Sequence, residues 1–126
     1  MTPLRILLAE DEPIIAMLMA RVLRAQGHEV CAVEATEAGA VAAAALHRPE
    51  LMIMDAKLRR GSGVAAVETI LRNGFVPHVF VSGAGIDDLR QDAVVLAKPY
   101  TEAELVAAMQ RAMAMRPAPD RATSRQ

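Results

Sequence analysis

The chain has 126 residues, of which 53% are hydrophobic and 2% aromatic, and its formal net charge is −1. This length predicts one domain with an aliphatic core, and the charge balance gives no basic footprint for nucleic acid. A single cysteine, Cys31, excludes an internal disulfide and fits a reducing compartment. The sequence shows neither a signal peptide nor an apolar run near the roughly 18 residues that span a bilayer. We therefore expect a soluble, cytoplasmic domain without a membrane segment.

Short apolar runs alternate with amphipathic segments along the chain. Each run is continuous and bounded by turn residues, as in strands that are buried on both faces. The predicted strands are residues 5–9, 29–33, 51–54, 78–81 and 94–97. Strands that alternate with helices predict an α/β fold with one parallel sheet and right-handed crossovers.

The first two predicted helices have clear beginnings. The first begins at Pro13, which suits a first helical turn, and ends at Gly27. The second is capped by Thr36 and runs through Leu46. Helical spacing predicts that the first helix buries Ile15, Leu18, Met19 and Val22.

The second half of the chain is interpreted in the same way. A polar loop is predicted over residues 57–63, in which Ser62 caps a helix through Arg72. Residues 101–104 form a capping box that begins the final helix, which extends to about Met115. The predicted buried stripe of that helix is Leu105, Ala108, Met109, Ala112 and Met113.

Two segments depart from this rhythm. Only residues 86–92 are available for a helix between the fourth and fifth strands, so that fourth helix is predicted to be short. Residues 117–126 lack apolar periodicity and are predicted to form a flexible tail. The folded domain is therefore expected to span residues 1–116.

Four of the predicted strands end on polar residues: Glu10 and Asp11, Asp55, Ser82, and Lys98. The carboxyl ends of parallel strands meet at one edge, where open α/β sheets place their ligand sites. Two crowded carboxylates are costly unless they are protonated or neutralised, and Mg²⁺ is a hard cation that prefers oxygen ligands. An aspartate can attack a phosphoryl donor, and a lysine can hold a phosphoryl oxygen. Together these residues suggest a magnesium site beside an aspartate that carries phosphate.

Each of these residues also has an ordinary structural interpretation. The acid pair can cap the next helix, Asp55 can form a loop, and Ser82 can satisfy nearby backbone. Lys98 is less easily explained, because it lies between a buried strand and a proline. Their joint order at successive strand ends is far more specific than any one of them.

Other titratable side chains are weaker candidates. His28, His47 and His78 have no metal-ligand spacing and are predicted to lie on the surface. Cys31 lies in an apolar strand and is predicted to be inert core.

The strand-end residues lie in segments that resemble the receiver domains of two-component response regulators. The resemblance covers about residues 4–115 and implies a five-stranded, doubly wound, flavodoxin-like (βα)5 fold of the stand-alone, single-domain type. The matching segments are LLAEDEP at 7–13, MIMD at 52–55 with Gly61 and Gly63 downstream, VFVSG at 79–83 and LAKPY at 96–100.

The resemblance implies a role for each residue of the site. Asp55 would be phosphorylated by a histidine kinase or a histidine phosphotransfer protein of a two-component or phosphorelay pathway. Ser82 would hydrogen-bond the phosphoryl group, and Lys98 would pair with it. Mg²⁺ would be held by the side chains of Glu10, Asp11 and Asp55 and by the backbone carbonyl of Lys57. The domain would catalyse only its own phosphorylation and dephosphorylation, and so would not be an enzyme in the ordinary sense.

The resemblance also implies an output through protein contacts. The domain would bind an effector protein or drain phosphate from a shared kinase, without nucleic acid or membrane, as a monomer or weak dimer. Many receivers carry an aromatic at the position of Val95, where it couples the site to the surface. Since valine cannot play that part, and since Gly83 and Gly85 free the backbone, we hypothesise that phosphorylation orders residues 83–92.

Three other functions fit parts of the pattern. One is a receiver-like module that binds partners without phosphorylation. An aspartyl phosphatase would need a second acid two residues after the nucleophile, where Lys57 stands. A flavin or nucleotide carrier would need a Gly/Ser/Thr-rich phosphate cradle after the first strand, where three acids would repel phosphate instead.

Overall fold

The computed structural model describes residues 2–83 and 93–115. The strands are β1 (Arg5–Ala9), β2 (Glu29–Glu34), β3 (Leu51–Asp55), β4 (Lys57–Leu58), β5 (Gly61–Ser62), β6 (His78–Ser82) and β7 (Val95–Ala97). The helices are α1 (Pro13–Ala25), α2 (Glu37–His47), α3 (Gly63–Leu71) and α4 (Glu102–Met113). The predicted short helix at 86–92, the predicted tail at 117–126 and residues 84–92 of the proposed ordering segment lie outside the described residues.

Five strands form one parallel sheet in the order β2-β1-β3-β6-β7. The predicted α/β class and the five-stranded parallel sheet are confirmed. Strand β1 pairs with both β2 and β3. The chain therefore adds β2 on one side of β1 and then adds β3, β6 and β7 on the other side. This change of direction is a topological switch point, and a crevice opens there at the carboxyl ends of the strands.

The sheet separates two apolar cores, because successive side chains of a strand point to opposite faces. Ile6 and Leu8 of β1 pack in the core that α1 and α4 cover, which also contains Leu23 and Leu105. Leu7 and Ala9 pack in the core that α2 and α3 cover, with Ala40, Ala66 and Phe80. Burial on both faces explains why the central strands are continuously apolar.

The buried face of helix α1 matches the predicted one only in part, with Ile15 and Val22 half-buried. Of the predicted stripe only Met19 is buried, and Leu18 is 52% exposed. Ile14 and Met17 are also exposed, by 68% and 52%. The small side chains let the helix lie close to the sheet, while larger apolar residues remain in solvent. The buried face of α1 consists of Ala16, Met19, Ala20 and Leu23.

The predicted helix caps are confirmed. Thr36 accepts the N–H of Gly39 at 2.9 Å, and Ser62 accepts the N–H of Ala65 at 3.0 Å. The capping box of α4 is complete, and the helix buries Leu105, Ala108, Met109 and Ala112 with Met113 half-buried beside them. In the part of the chain that the structure describes, no helix has the length and apolar character needed to cross a membrane.

Two of the three histidines are buried, so their predicted surface location is wrong. His28 Nδ1 accepts the backbone N–H of Leu4 at 3.0 Å. His78 begins a fully buried strand, and its Nδ1 lies 2.8 Å from the carbonyl oxygen of Val76. Its ring packs edge-on against Phe80, with ring centroids 5.3 Å apart. Hydrogen bonds and ring packing thus replace the water that a histidine loses on burial.

Cys31 is half-buried, and the prediction that it belongs to the core is therefore only partly right. Its Sγ lies 3.4 Å from the carbonyl oxygen of Ile6. Burial raises the pKa of the thiol above its ordinary value, so the nucleophilic thiolate is disfavoured.

Residues 57–62, predicted as loop, fold as a small antiparallel hairpin of β4 and β5. Lys57 pairs with Ser62, and Leu58 pairs with Gly61. Arg60 and Gly61 turn the chain with positive φ angles of 56° and 122°. We call residues 57–62 the β4–β5 hairpin; it begins two residues after Asp55, at the carboxyl edge of the sheet.

Candidate functional site

A cleft of about 390 Å³ opens at the carboxyl edge of the sheet, beside the ends of β1 and β3. Of the residues predicted for the site, Ser82 alone is absent from its lining; Ser82 is buried at the end of β6, next to Gly83. The described residues that line the cleft are Glu10, Asp11, Glu12, Asp55, Ala56, Lys57, Gly83 and Lys98.

Both carboxylate oxygens of Asp55 have a partner. Oδ1 accepts the backbone N–H of Lys57 at 3.0 Å, and Oδ2 accepts a hydrogen from Lys98 Nζ at 2.8 Å. Asp55 is buried at the end of the central strand β3, where its position is fixed by pairing with Val81 of β6. The carboxylate is therefore held in one orientation before any ligand arrives.

Three acidic side chains converge at this point. One carboxylate oxygen from each of Glu10, Asp11 and Asp55 can be chosen so that all three lie within 4.8 Å of one another. Burial, and after it the neighbouring Asp55, raise the pKa of Glu10 to about 7, against a hydrogen bond from the N–H of Glu12 that lowers it. Without a cation, a proton relieves this crowding near neutral pH.

The donor set fits Mg²⁺. All three side chains offer carboxylate oxygens, the ligands that this hard cation prefers, and a cleft of about 390 Å³ leaves room for retained waters. A divalent cation would take the place of the proton on Glu10 and remove the repulsion among the acids.

Lys98 brings an ammonium group to the carboxylates of the site. Its Nζ lies 2.8 Å from Asp55 Oδ2 and 3.5 Å from Glu10 Oε1. Although burial lowers the pKa of this ammonium, the hydrogen bond and charge of Asp55 outweigh that effect and raise it above the ordinary value. The backbone N–H of Lys98 donates to the carbonyl of Ser82 at 2.8 Å, which fixes Lys98 relative to β6. Lys98 therefore remains charged and pointed at Asp55.

The β4–β5 hairpin and the residue that follows it make further contacts around the site, among which that of Arg59 was not predicted from the sequence. Arg59 Nη2 donates to the carbonyl oxygen of Asp11 at 3.1 Å, and Gly63 N–H donates to the carbonyl of Ala56 at 3.0 Å. A Cβ at Gly63 would overlap the carbonyl oxygen of Asp55, so only glycine fits there. Gly61 was the available signal for this turn.

A larger cleft of about 590 Å³ lies at the opposite edge of the sheet, between the ends of α2 and α3. Most of the described residues in its lining are apolar. Arg48 is the charged residue among them, and none of them carries a carboxylate. It is therefore unsuited to a cation or a phosphoryl acceptor, and the smaller cleft is the candidate site.

The fold and the site together define the class of this protein. A five-stranded parallel sheet carries an acid pair, an aspartate and a lysine at the carboxyl ends of its strands. The sequence profile of the response regulator receiver domain matches residues 6–110. The chain belongs to this family, which acts in two-component signalling.

Similar proteins agree with this assignment. The transcriptional regulatory protein PdtaR of Mycobacterium tuberculosis is 34% identical over 88% of this chain. The phyllosphere-induced regulator PhyR of Methylorubrum extorquens is 33% identical over 86% of it. The matched regions are 57% and 43% of those proteins, so the chain spans about half the length of the curated relatives it matches.

Solved structures give the same result. The receiver domain of PhyR from Erythrobacter litoralis is 29% identical, with a TM-score of 0.79 and coverage of 94% of this chain and 95% of that one. SdrG from Sphingomonas melonis Fr1 is also 29% identical, with a TM-score of 0.72 and coverage of 88% and 97%. The flavodoxin-like receiver fold is therefore confirmed.

Proposed function

We propose that this chain is a phosphoacceptor receiver, phosphorylated on Asp55 in a Mg²⁺-dependent reaction. The observation that carries the proposal is the setting of Asp55, whose carboxylate lies between the acid pair and the ammonium of Lys98. A carboxylate that only capped a loop would need neither neighbour. The donor would be a phosphohistidine of a kinase or of a phosphotransfer protein, because the chain belongs to the receiver family.

In the proposed reaction, a carboxylate oxygen of Asp55 bonds to phosphorus while the bond from phosphorus to the donor imidazole nitrogen breaks. The leaving nitrogen keeps the electron pair, and Asp55 becomes an acyl phosphate. Lys98 would then follow the negative charge from Oδ2 to a phosphoryl oxygen, and the Ser82 hydroxyl would donate to another.

The side chains of Glu10, Asp11 and Asp55 and the carbonyl of Lys57 would hold Mg²⁺. When bound, the ion neutralises charge that develops on the transferred group. The N–H of Lys57 would meanwhile keep the Asp55 carboxylate oriented.

The output would be contact with a partner protein, or removal of phosphate from a shared kinase in the cytoplasm. Relatives support a role in regulation: one is named a transcriptional regulatory protein, and PhyR of Bartonella quintana is named an anti-anti-sigma factor. We propose no substrate turnover beyond the domain's own phosphorylation and dephosphorylation.

Intact-mass spectrometry after incubation with acetyl phosphate tests the proposal. We expect a gain of one phosphoryl group with Mg²⁺, no gain with a chelator, and no gain for Asp55→Asn. The matched control is Asp92→Asn, which changes an aspartate that the strand-end pattern does not include. A protein that gains no phosphate from acetyl phosphate or from a phosphohistidine donor would instead be a phosphorylation-independent binding module.

A further inference from the structure

The β2–α2 region contains no residue of the proposed metal set, yet it is bonded to the hairpin that follows Asp55. Glu37, in the first turn of α2, accepts the backbone N–H of Ser62 through Oε1 at 3.1 Å. Arg59 N–H donates to the carbonyl of Ala35 at 3.0 Å, and Thr36 forms a parallel bridge with Arg59. The β4–β5 hairpin therefore rests on this region rather than standing free in solvent.

The fit between Glu37 and the hairpin is close. A Cβ at Gly61 would overlap the Glu37 side chain, so the glycine leaves the space that the carboxylate occupies. Gly61 also has a φ of 122°, which favours glycine. The lack of a side chain at Gly61 and the hydrogen bond from Ser62 N–H to Glu37 are separate observations, and both place Glu37 against β5.

From Glu37 a short chain of contacts leads to the cleft. Ser62, which Glu37 holds, pairs with Lys57 across the hairpin. The N–H of Lys57 donates to Asp55 Oδ1, and its carbonyl is the proposed backbone ligand for Mg²⁺. On the other side, Arg59 Nη2 donates to the carbonyl of Asp11. A shift of the hairpin would therefore disturb both proposed ligand groups.

We propose that Glu37 is a positioning residue for the magnesium site, acting through the β4–β5 hairpin on the backbone of Lys57. This inference rests on the proposed function, because it assumes that the cleft binds Mg²⁺. Glu37 does not line the cleft, whereas Lys57 does; Glu37 would hold the backbone of Lys57 in the position from which its carbonyl would bind the ion. Residues that orient metal ligands from outside commonly change metal affinity when they are replaced.

The test is the dissociation constant for Mg²⁺, measured by amide chemical shifts in an NMR titration of the full chain. Glu37→Ala is expected to weaken binding by about tenfold. Glu37→Gln keeps an acceptor oxygen for Ser62 and is expected to stay within about threefold of the wild type, because the hydrogen bond that holds the hairpin is retained. The Ser62 amide signal should shift in Glu37→Ala and remain near its wild-type position in Glu37→Gln.

Glu104→Ala is the matched control. Glu104 also lies in the first turn of a helix and accepts a backbone N–H, that of Thr101, at 2.8 Å, but it neither lines the cleft nor contacts the β4–β5 hairpin through that bond. It is expected to lower stability without changing Mg²⁺ affinity. Equal weakening by Glu104→Ala, equal weakening by Glu37→Gln, or unchanged affinity in Glu37→Ala would each overturn the role of Glu37. A wild-type protein that does not respond to Mg²⁺ would overturn the proposed function as well.

Discussion

Asp55 is held by partners of two different kinds. The N–H of Lys57 comes from backbone two residues further along, whereas Lys98 brings a side-chain cation from beyond another strand. We expect the backbone partner to keep the carboxylate oriented and the ammonium to follow negative charge as it moves to a phosphoryl group. A single substitution at Lys98 should therefore affect the readout of phosphorylation more than the position of Asp55.

His28 is a residue whose burial has a measurable consequence for stability. Burial lowers its pKa below 6.5, and its neutral ring accepts the N–H of Leu4. Below about pH 6.5 the unfolded chain binds this proton more readily than the folded one. The stability that the neutral ring of His28 contributes is therefore complete above that pH. It is lost as the pH falls toward the lower folded-state pKa, with a slope of at most about 1.4 kcal/mol per pH unit.

Urea unfolding of the wild type and of His28→Asn, from about pH 7.5 to about pH 5, measures this effect. Asparagine keeps an acceptor for Leu4 but does not titrate, so the variant should show a smaller loss of stability in acid. Ile70→Val, at a buried position with no titratable group, is the control and should lower stability without changing the slope with pH. Parallel pH profiles for wild type and His28→Asn would refute the assignment.

At the scale of elements, α1 presents an apolar surface beside the cleft. We call Ile14, Met17 and Leu18 the α1 surface; all three are more than half exposed. The helix begins three residues after Glu10, so this surface adjoins the cleft that we propose as the phosphorylation site. Adjacent large apolar residues in solvent commonly mark a protein contact, and a protein donor must approach Asp55 closely. We therefore expect the donor to dock on α1.

Replacing Met17 and Leu18 together by glutamine should slow phosphotransfer from a phosphorylated histidine phosphotransfer protein by about tenfold, the equivalent of about 1.4 kcal/mol. Phosphorylation by acetyl phosphate should be unchanged, because that donor needs no docking surface. Leu46→Gln, on the exposed face of α2, is the control, since Leu46 is 78% exposed. Equal loss with both donors would show that the variant damages the site rather than the docking surface.

The elements also show where sequence reasoning works. Strand ends were predictable because buried parallel strands are continuously apolar and end abruptly on polar residues such as Asp55. The buried face of α1 was predicted only in part, because a chain with 53% hydrophobic residues has more apolar side chains than its core can hold. The prediction assigned large apolar residues to the buried face, whereas in the structure the small residues Ala16 and Ala20 are also buried there. His78 was misplaced because its polar type was weighed above its place at the start of a strand that the fold buries completely.

Across the whole molecule, the topology brings together residues that are far apart in sequence. Glu10, Asp55 and Lys98 come from three strand ends, and the reversal of winding at β1 opens the crevice that they share. This convergence was predictable from the general rule for parallel sheets. The proposed positioning role of Glu37 could not be predicted from the sequence, because it depends on how the β4–β5 hairpin folds back on α2. Polar residues at strand ends are therefore easier to predict than the contacts that position them.

Identifying the modified residue tests the central claim most directly. The protein is treated with acetyl phosphate and Mg²⁺ and reduced with borohydride, which converts an aspartyl phosphate to homoserine. Peptide mass spectrometry then locates the change. We predict homoserine at position 55 in place of Asp55, only when both Mg²⁺ and the phosphate donor are present. Homoserine at another aspartate, or a modification that persists without Mg²⁺, would contradict the account.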